Sequence, residues 1–402
     1  MAGSPLLSVI VPSRNRARYA RYCIDNILSV PSPDLECVVL DNSDGDELAQ
    51  YAATLRDPRL RYRHVSQRLS FAKVFEEAYA LSTGRFVTFI GDDDGVLPDI
   101  IAVAQWMADR GVDSLTTPLI ASYGWPDFHV KLGLGFHRGE AILRHFSGAV
   151  TVLDVEAELH RCAAASFQKF DYLTKVYYGI VSRVATERAR SVAGALFWGS
   201  SPDISGCLAV ASYVSKHVFF DFPLFVSGAS GGSAAGRAGR NEHYGSLRNE
   251  AQTAEFADAW PSQVPSFFAE ETVWAHTALL TLEKHHRQDV IAGFNSVRLH
   301  GKSLALSPWK YKRAIASSFQ GHVLKSSANK VADTYRCAMA AGGYATRKWL
   351  TYGYRASRAG YFWKYRRWFK GVENVAGAAV AIAESLRAEG QGARVPLERS
   401  AV

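Results

Sequence analysis

Between residues 6 and 120, five short runs of strand-like composition alternate with four segments whose apolar residues recur at helical spacing. The runs are LLSVIVPS (6–13), LECVVLDN (35–42), RLRYRHVS (59–66), RFVTFIGD (85–92) and DSLTTPLI (113–120). Between them lie ARYARYCIDNILS, DELAQYAATLR, FAKVFEEAYALS and PDIIAVAQWMADR, the last opening on Pro98, which suits a first helical turn. Near-continuous apolar strands predict a mainly parallel sheet covered by helices on both faces. Right-handed crossovers then bring the polar segments PSRN (12–15), DNSDGD (41–46) and DDD (92–94) to one sheet edge, where ligands of such sheets bind.

A chain of 402 residues with 48% hydrophobic content can bury a full core and suggests two or three domains. Its start, MAGSPLLSVIVPS, reads as a first strand rather than a signal peptide, and no run reaches membrane-spanning length. Cys23, Cys37, Cys162, Cys207 and Cys337 are odd in number and without CxxC spacing, which disfavours a disulfide framework or zinc knuckle and fits a reducing, cytoplasmic setting. Charge is uneven: from residue 285 onward there are 20 lysines and arginines against 6 acids, so the net +8 of the whole chain conceals an acidic body. Such a tail is suited to an anionic partner.

Three regions follow from the pattern. Residues 1–125 form the first α/β half, 126–254 a looser α+β extension, and 255–402 a basic, mainly helical region. Residues 228–248, GASGGSAAGRAGRNEHYGSLR, have the composition of a mobile loop.

Asp92, Asp93 and Asp94 stand where the fourth strand ends. Three uses are open to them: holding a divalent cation, capping the next helix, or forming a solvated turn. An oxygen-only cluster suits Mg²⁺ or Mn²⁺ completed by substrate phosphates. Neither GxxxxGK[ST] nor GxGxxG occurs, which removes the main support for a P-loop NTPase or a nicotinamide dehydrogenase.

LSVIVPSRNRARYARYCIDNIL, VVLDNSDGD and LSFAKVFEEAYALSTGRFVTFIGDDDGVLPD, taken together over residues 5–125, resemble the N-terminal half of a family 2 glycosyltransferase. The resemblance implies a Rossmann-like glycosyltransferase-A fold, here followed by a helical C-terminal region. It implies an inverting, metal-dependent enzyme moving a sugar from a nucleotide-diphosphate donor to a hydroxyl of a glycan or lipid-linked acceptor, in surface polysaccharide or glycoconjugate synthesis. On the matching positions, Pro12, Ser13, Arg14, Asp41, Ser43, Arg68, Ser70 and Lys73 would line the nucleotide-sugar pocket. Asp92 would reach ribose or metal, and Asp93 and Asp94 the Mn²⁺ or Mg²⁺ ion. UDP is the first nucleotide to consider. In FWGSSPDISGCLAVAS (197–212), Asp203 matches the general base, with Trp198, Ser201 and Tyr178 as acceptor contacts. His243, beside Arg237 and Arg240, would be a further metal or leaving-group contact if the loop closes.

Structural uses compete with each assignment: a turn for Asp41, a solvated helix charge for Lys73, a favourable first-turn acid for Asp203. YFWKYRRWFK (361–370), with six aromatics and four cations, predicts either a peripheral contact with the cytoplasmic face of an anionic membrane or a packing interface. The alternative function is a catalytically degenerate transferase-fold module acting as a scaffold at a membrane surface. Nucleic-acid binding finds no recognition motif.

Overall fold

The computed structural model describes residues 4–129, 138–233, 236–237, 243–356, 365–400 and 402. The alternation read from the sequence is present: β1 (Leu7–Ser13), α1 (Ala17–Ser29), β2 (Leu35–Asp41), α2 (Glu47–Thr54), β3 (Leu60–His64), α3 (Phe71–Leu81) and β4 (Phe86–Phe89). The four strands run parallel in the order β3-β2-β1-β4. Alternation along β1 explains the two-sided burial. Leu7, Val9 and Val11 pack with Ala20, Cys23, Ile24 and Ile27 of α1, whereas Ile10 packs on the opposite face with Ala78 and Tyr79 of α3.

Next come β5 (Gly95–Val96), α4 (Ile100–Arg110), β6 (Ser114–Thr116), β7 (Ala121–Gly124), β8 (Glu140–Arg144), β9 (Val150–Leu153), α5 (Val155–Ala164), β10 (Gly179–Ser182), α6 (Arg183–Ala193), α7 (Pro202–Ala211), β11 (His217–Phe220) and β12 (Phe225–Ala229). The run DSLTTPLI is thus not one strand: β6 ends before Pro118, and β7 starts beyond it in another sheet. One sheet has eight strands in the order β3-β2-β1-β4-β10-β6-β11-β9, with β10 antiparallel to both of its neighbours. Residues 179–220 therefore extend the same sheet that the first half begins.

The third region is helical from α8 (Glu270–Lys284) through α9 (Gln288–Ala292), α10 (Ser296–Leu306), α11 (Trp309–Ser318) and α12 (Lys330–Ala356). It then departs from expectation. Tyr365–Lys370, within the basic aromatic segment, is a strand, β13, which edges a second sheet in the order β13-β8-β7-β12-β5. Trp368 donates to Glu140, and Arg366 and Arg367 both pair with Glu389, so much of this segment's charge is neutralised within the protein. The following α13 (Val375–Ala388) packs Val375, Ala379 and Ile382 into a core with Tyr19 of α1, and α14 (Arg394–Arg399) closes the described chain.

All five cysteines are free and buried, and no helix among the described residues is long and apolar enough to cross a membrane. Glu36, 3% exposed, accepts from Ser8 Oγ (2.6 Å), Thr83 N (2.5 Å) and Gly84 N (3.1 Å) and pairs with Arg61 (2.6 Å). Removing it strands buried donors, so Glu36→Ala is expected to cost about 3 kcal/mol of unfolding free energy. Urea melts of the two proteins would measure the difference.

Candidate active site

Beyond β4 the chain turns through Gly91–Asp94, and the three aspartates are 5%, 6% and 1% exposed. Each has a different set of partners. Asp92 accepts from Ser13 Oγ (2.7 Å) and Arg16 Nε (2.6 Å), one contact for each oxygen. Asp93 Oδ2 meets Arg16 Nη2 (2.8 Å) and Ser230 Oγ (2.6 Å), while its Oδ1 has no partner among the described residues. Asp94 accepts from the backbone of Gly91 (2.6 Å) and Gly228 (2.7 Å), with the Tyr177 hydroxyl at 3.3 Å.

Arg16 is thus the cation that offsets the cluster's repulsion. Burial alone would lower its pKa, but Asp92 and Asp93 reverse that and hold it charged. The sequence reading chose Arg14 and missed Arg16, two positions along in PSRNRAR. Asn15 takes a left-handed φ of 55° between them and sends the two arginines to different partners. Arg14 turns to Asn42 (3.1 Å) and Asp44 (2.8 Å) instead.

The loop after β12 is docked on the aspartates. A Cβ at Gly228 would lie 1.9 Å from the Asp93 carbonyl, so only glycine permits this approach. Trp125 Nε1 also bonds that carbonyl (3.0 Å), and Arg16 Nη2 bonds Ser230 Oγ (2.9 Å). Ser230 and Trp125, like Arg16, carry no sequence signal for this role, because the contacts join residues more than thirty positions apart.

Several expected pocket residues turn out to be engaged elsewhere. Asp41, fully buried, spends one oxygen on Ser43 N (2.9 Å) and the other on the Tyr62 hydroxyl (2.6 Å), so it shapes the turn after β2. Ser43 Oγ accepts from Asn15 N (2.7 Å), tying that turn to the one after Pro12. Ser70 caps α3 by accepting from Lys73 N, and Lys73 forms an exposed ion pair with Glu77 (2.9 Å). Arg68 is exposed and acts electrostatically on Asp44 at the rim. Pro12, Ser13, Arg14, Asp41 and Ser43 therefore do converge, as scaffold and wall, whereas Ser70 and Lys73 serve their helix.

Asp203 lies in the first turn of α7 after Pro202. Burial raises its carboxyl above the ordinary carboxylate value, opposed by a hydrogen bond from Ser201 Oγ (2.5 Å). Ser201 thus aims the acid instead of standing free for an acceptor. The approach to α7 is held from two sides: Glu76 accepts from Leu196 N (2.9 Å) and Arg190 (2.7 Å), and Ser200 N bonds Thr277 Oγ1 (3.1 Å) of α8. Gly199, at φ 72°, makes this bend. Tyr177, hydrogen-bonded to Asp94, also feels the charge of Asp203, so the acidic loop and the acid of α7 share one neighbour. Glu270 at the start of α8 also feels the charge of Asp203.

Tyr178, half-buried, faces Asp94 and Ser227 and packs against Phe225. Trp198 has Lys284 over its ring and bonds the Ala195 carbonyl. His243 packs on Tyr244, and the charges acting on it are those of Lys348 and Arg237. That setting gives a metal-ligand role for His243 no support. Arg237 meets Glu250 at 3.2 Å, and Arg240 lies outside the described residues.

Two groups of shifts bear on stability. Burial, with Asp93 adding repulsion, raises Asp92 and pushes Asp94 up to about 8. Burial also pushes His217, His276, His285 and His300 down to about 4. The histidines contribute stability that is full above their unfolded value of about 6.5 and lost as pH falls toward about 4. The aspartates act oppositely, costing stability as pH rises above the ordinary carboxylate range, and above about 7 their effect outweighs that of the histidines. The ion-free protein is therefore expected to melt highest near pH 7 and about 1 °C lower at pH 9. Calorimetry over that range would check it; a midpoint still rising to pH 8 contradicts the assignment.

Residues 8–173 match the Glycosyl transferase family 2 profile. The chain is 30% identical over 105 residues to WcaA of Escherichia coli (strain K12), whose name assigns it to colanic acid biosynthesis as a glycosyl transferase, covering 26% of this chain and 38% of that one. It is 31% identical over 111 residues to the GalNAc(5)-diNAcBac-PP-undecaprenol beta-1,3-glucosyltransferase of Campylobacter jejuni, covering 27% and 36% respectively. The matches thus span little more than a third of these relatives' length. In architecture the chain is similar to S. aureus TarS 1-349, crystallised in complex with UDP-GlcNAc, at 14% identity and a TM-score of 0.50 over 96% of this chain and 92% of that one. The β-α-β alternation, the acidic turn after β4 and these likenesses agree: residues 8–173 match glycosyl transferase family 2, and the chain has a glycosyltransferase-A fold.

Proposed function

We propose that the protein is an inverting, divalent-metal-dependent glycosyltransferase moving a sugar from a nucleotide-diphosphate donor to a hydroxyl of a glycan or lipid-linked acceptor, in polysaccharide or glycoconjugate synthesis. The observation that carries it is the pairing of an acidic loop that keeps one carboxylate oxygen, Asp93 Oδ1, without a partner among the described residues, with a half-buried acid, Asp203, whose charge reaches the same Tyr177 that bonds Asp94.

The residues fit a Mn²⁺ or Mg²⁺ ion held through Asp93. Such ions keep waters and take few protein oxygens, completing their shell with phosphate. When bound, the ion would supply charge stabilisation to a departing diphosphate. The chain's own residues supply the rest. Asp203, raised by burial, takes the proton of the acceptor hydroxyl as its oxygen bonds to the anomeric carbon. The bond from that carbon to the diphosphate oxygen breaks on the opposite face, and the nucleoside diphosphate leaves. Ser201 orients the base, while Arg16 pairs with both Asp92 and Asp93 and holds them in register with Ser13.

A panel of nucleotide sugars, UDP-sugars first, with Mn²⁺ or Mg²⁺ is expected to give release of nucleoside diphosphate from one donor. Thermal stabilisation by that donor should require the ion. A panel in which no donor binds or turns over leaves only the scaffold alternative.

A second reading, peripheral contact with an anionic membrane surface, is favoured by one feature. Val331, Tyr335, Met339 and Trp349 of α12 are 59–81% exposed and lie along one side of the helix, with Trp309 of α11 87% exposed. Residues 309–350 carry eight lysines and arginines against the single acid Asp333. Exposed tryptophan with flanking cations suits a lipid headgroup region. Vesicles with anionic lipid are expected to sediment the protein at low salt, and the pair Trp309→Ser, Trp349→Ser to weaken this about tenfold. Equal sedimentation with neutral vesicles would sink the idea.

A further inference from the structure

Outside the acidic loop, the surface carries a cleft of about 750 Å³ between the N-terminal end of α10 and one side of α12. Its charged lining is Arg298, Arg336, Arg347 and Asp333. Asp333 is already matched, taking Arg336 Nη1 at 2.9 Å and Ser327 Oγ at 2.7 Å, with its carboxyl lowered by both. Two arginines are therefore left over. Arg298 Nε donates to the Tyr344 hydroxyl (3.2 Å), which fixes the plane of the guanidinium, while its two terminal nitrogens have no partner among the described residues. Arg347 is exposed, and its guanidinium has no partner among the described residues.

Other contributions point the same way. The Asn295 side chain caps α10 through Arg298 N, which leaves the backbone N–H groups of Ser296 and Val297, both in the cleft lining, at the positive end of the helix. Space is open too, since a Cβ at Gly343 would meet nothing within 4 Å. A fixed guanidinium, a second free one and a helix N-terminus around one cleft make a receptor for a planar or tetrahedral oxyanion.

The cleft also has a line to the candidate chemistry. One turn along α10 from Arg298, on the same face and about 6 Å further, is Lys302. Its Nζ bonds Gln168 Oε1 (2.7 Å), and its charge, like that of Asp203, acts on Glu270.

We infer that the cleft between α10 and α12 is an acceptor subsite that holds an oxyanion group of the acceptor, a phosphate or a sugar carboxylate, through Arg298 and Arg347. The inference rests on the transferase reading for the word acceptor, but the anion site itself does not. The acceptor chain would run along α10 past Lys302, with its reacting hydroxyl at Asp203.

The test uses the full chain and calorimetric titration with two probes, inorganic pyrophosphate and citrate. Any probe bound near the acidic loop is common to all variants and cancels in the comparison. Saturable pyrophosphate binding is expected in the wild type, weakened about tenfold in the double variant Arg298→Gln, Arg347→Gln. Because Arg347 makes no contact that the fold needs, Arg347→Gln alone keeps the test valid should the double variant misfold, and about threefold weakening is expected from it. Stronger binding of pyrophosphate than citrate assigns a phosphate-bearing acceptor, and the reverse a carboxylate-bearing one. No saturable binding, or equal binding by wild type and Arg347→Gln, overturns the inference. Donor turnover on the same preparations is read separately: turnover without the arginine dependence removes this subsite alone, and the arginine dependence without turnover removes the transferase reading alone.

Discussion

Asp203→Asn is expected to lower sugar transfer by about 10³-fold while donor affinity stays within about twofold. A base that accepts the hydroxyl proton only as the new bond forms contributes to the transition state and not to donor binding, so the loss should fall on kcat. In free energy the change is about 4 kcal/mol. The substitution is nearly isosteric, and the amide oxygen can still accept from Ser201, so the fold should be kept. Single-turnover transfer and donor titration would separate the two effects. A variant retaining more than about a tenth of wild-type turnover would move the base elsewhere, and Glu270, which feels the charge of Asp203, would be the next carboxylate to remove.

Asp93→Asn is expected to abolish the stabilisation that Mn²⁺ and donor give together, and to lower turnover by about 10²-fold or more. Its effect on the ion-free protein should be small. Loss of half the Arg16 pairing and relief of repulsion among three buried carboxylates act in opposite directions. Asp92 and Asp94 provide the contrast. Both oxygens of Asp94 are turned to backbone N–H groups, so Asp94→Asn would set a donor against a donor and destabilise the fold before it could report on an ion. If the metal response survives in Asp93→Asn and disappears in Asp92→Asn, the ligand assignment passes to Asp92.

The first half of the fold was legible because its signals are local. Apolar runs of β1, β2 and β4 and helical spacing in α1 and α3 declare elements whose order forces a parallel sheet. Asp93 and Asp203 were legible by position: one follows a strand end, the other opens a helix. Illegible were the residues defined by who sits opposite. Arg16 differs from Arg14 only by a left-handed residue between them, and Trp125, Ser230 and Tyr177 reach the acidic loop through tertiary contacts. Asp41 misled for a related reason. An acid after a strand can serve a ligand or its own turn, and the partner that decides, Tyr62, lies on the neighbouring strand. The segment YRRWFK misled as well, since its placement as a strand depends on an edge offered by β8 and not on its own periodicity.

That edge has a consequence for how the chain is made. Trp368 and Glu140, partners across β13 and β8, are 228 residues apart. At about 5–20 residues per second, a ribosome delivers the second about ten to fifty seconds after the first. For that interval β8 presents unpaired backbone groups to anything nearby, and the face of α1 that α13 covers is bare as well. A segment synthesised late thus seals one synthesised early, and newly made chains are exposed to edge-to-edge mispairing until residues 365–388 have emerged.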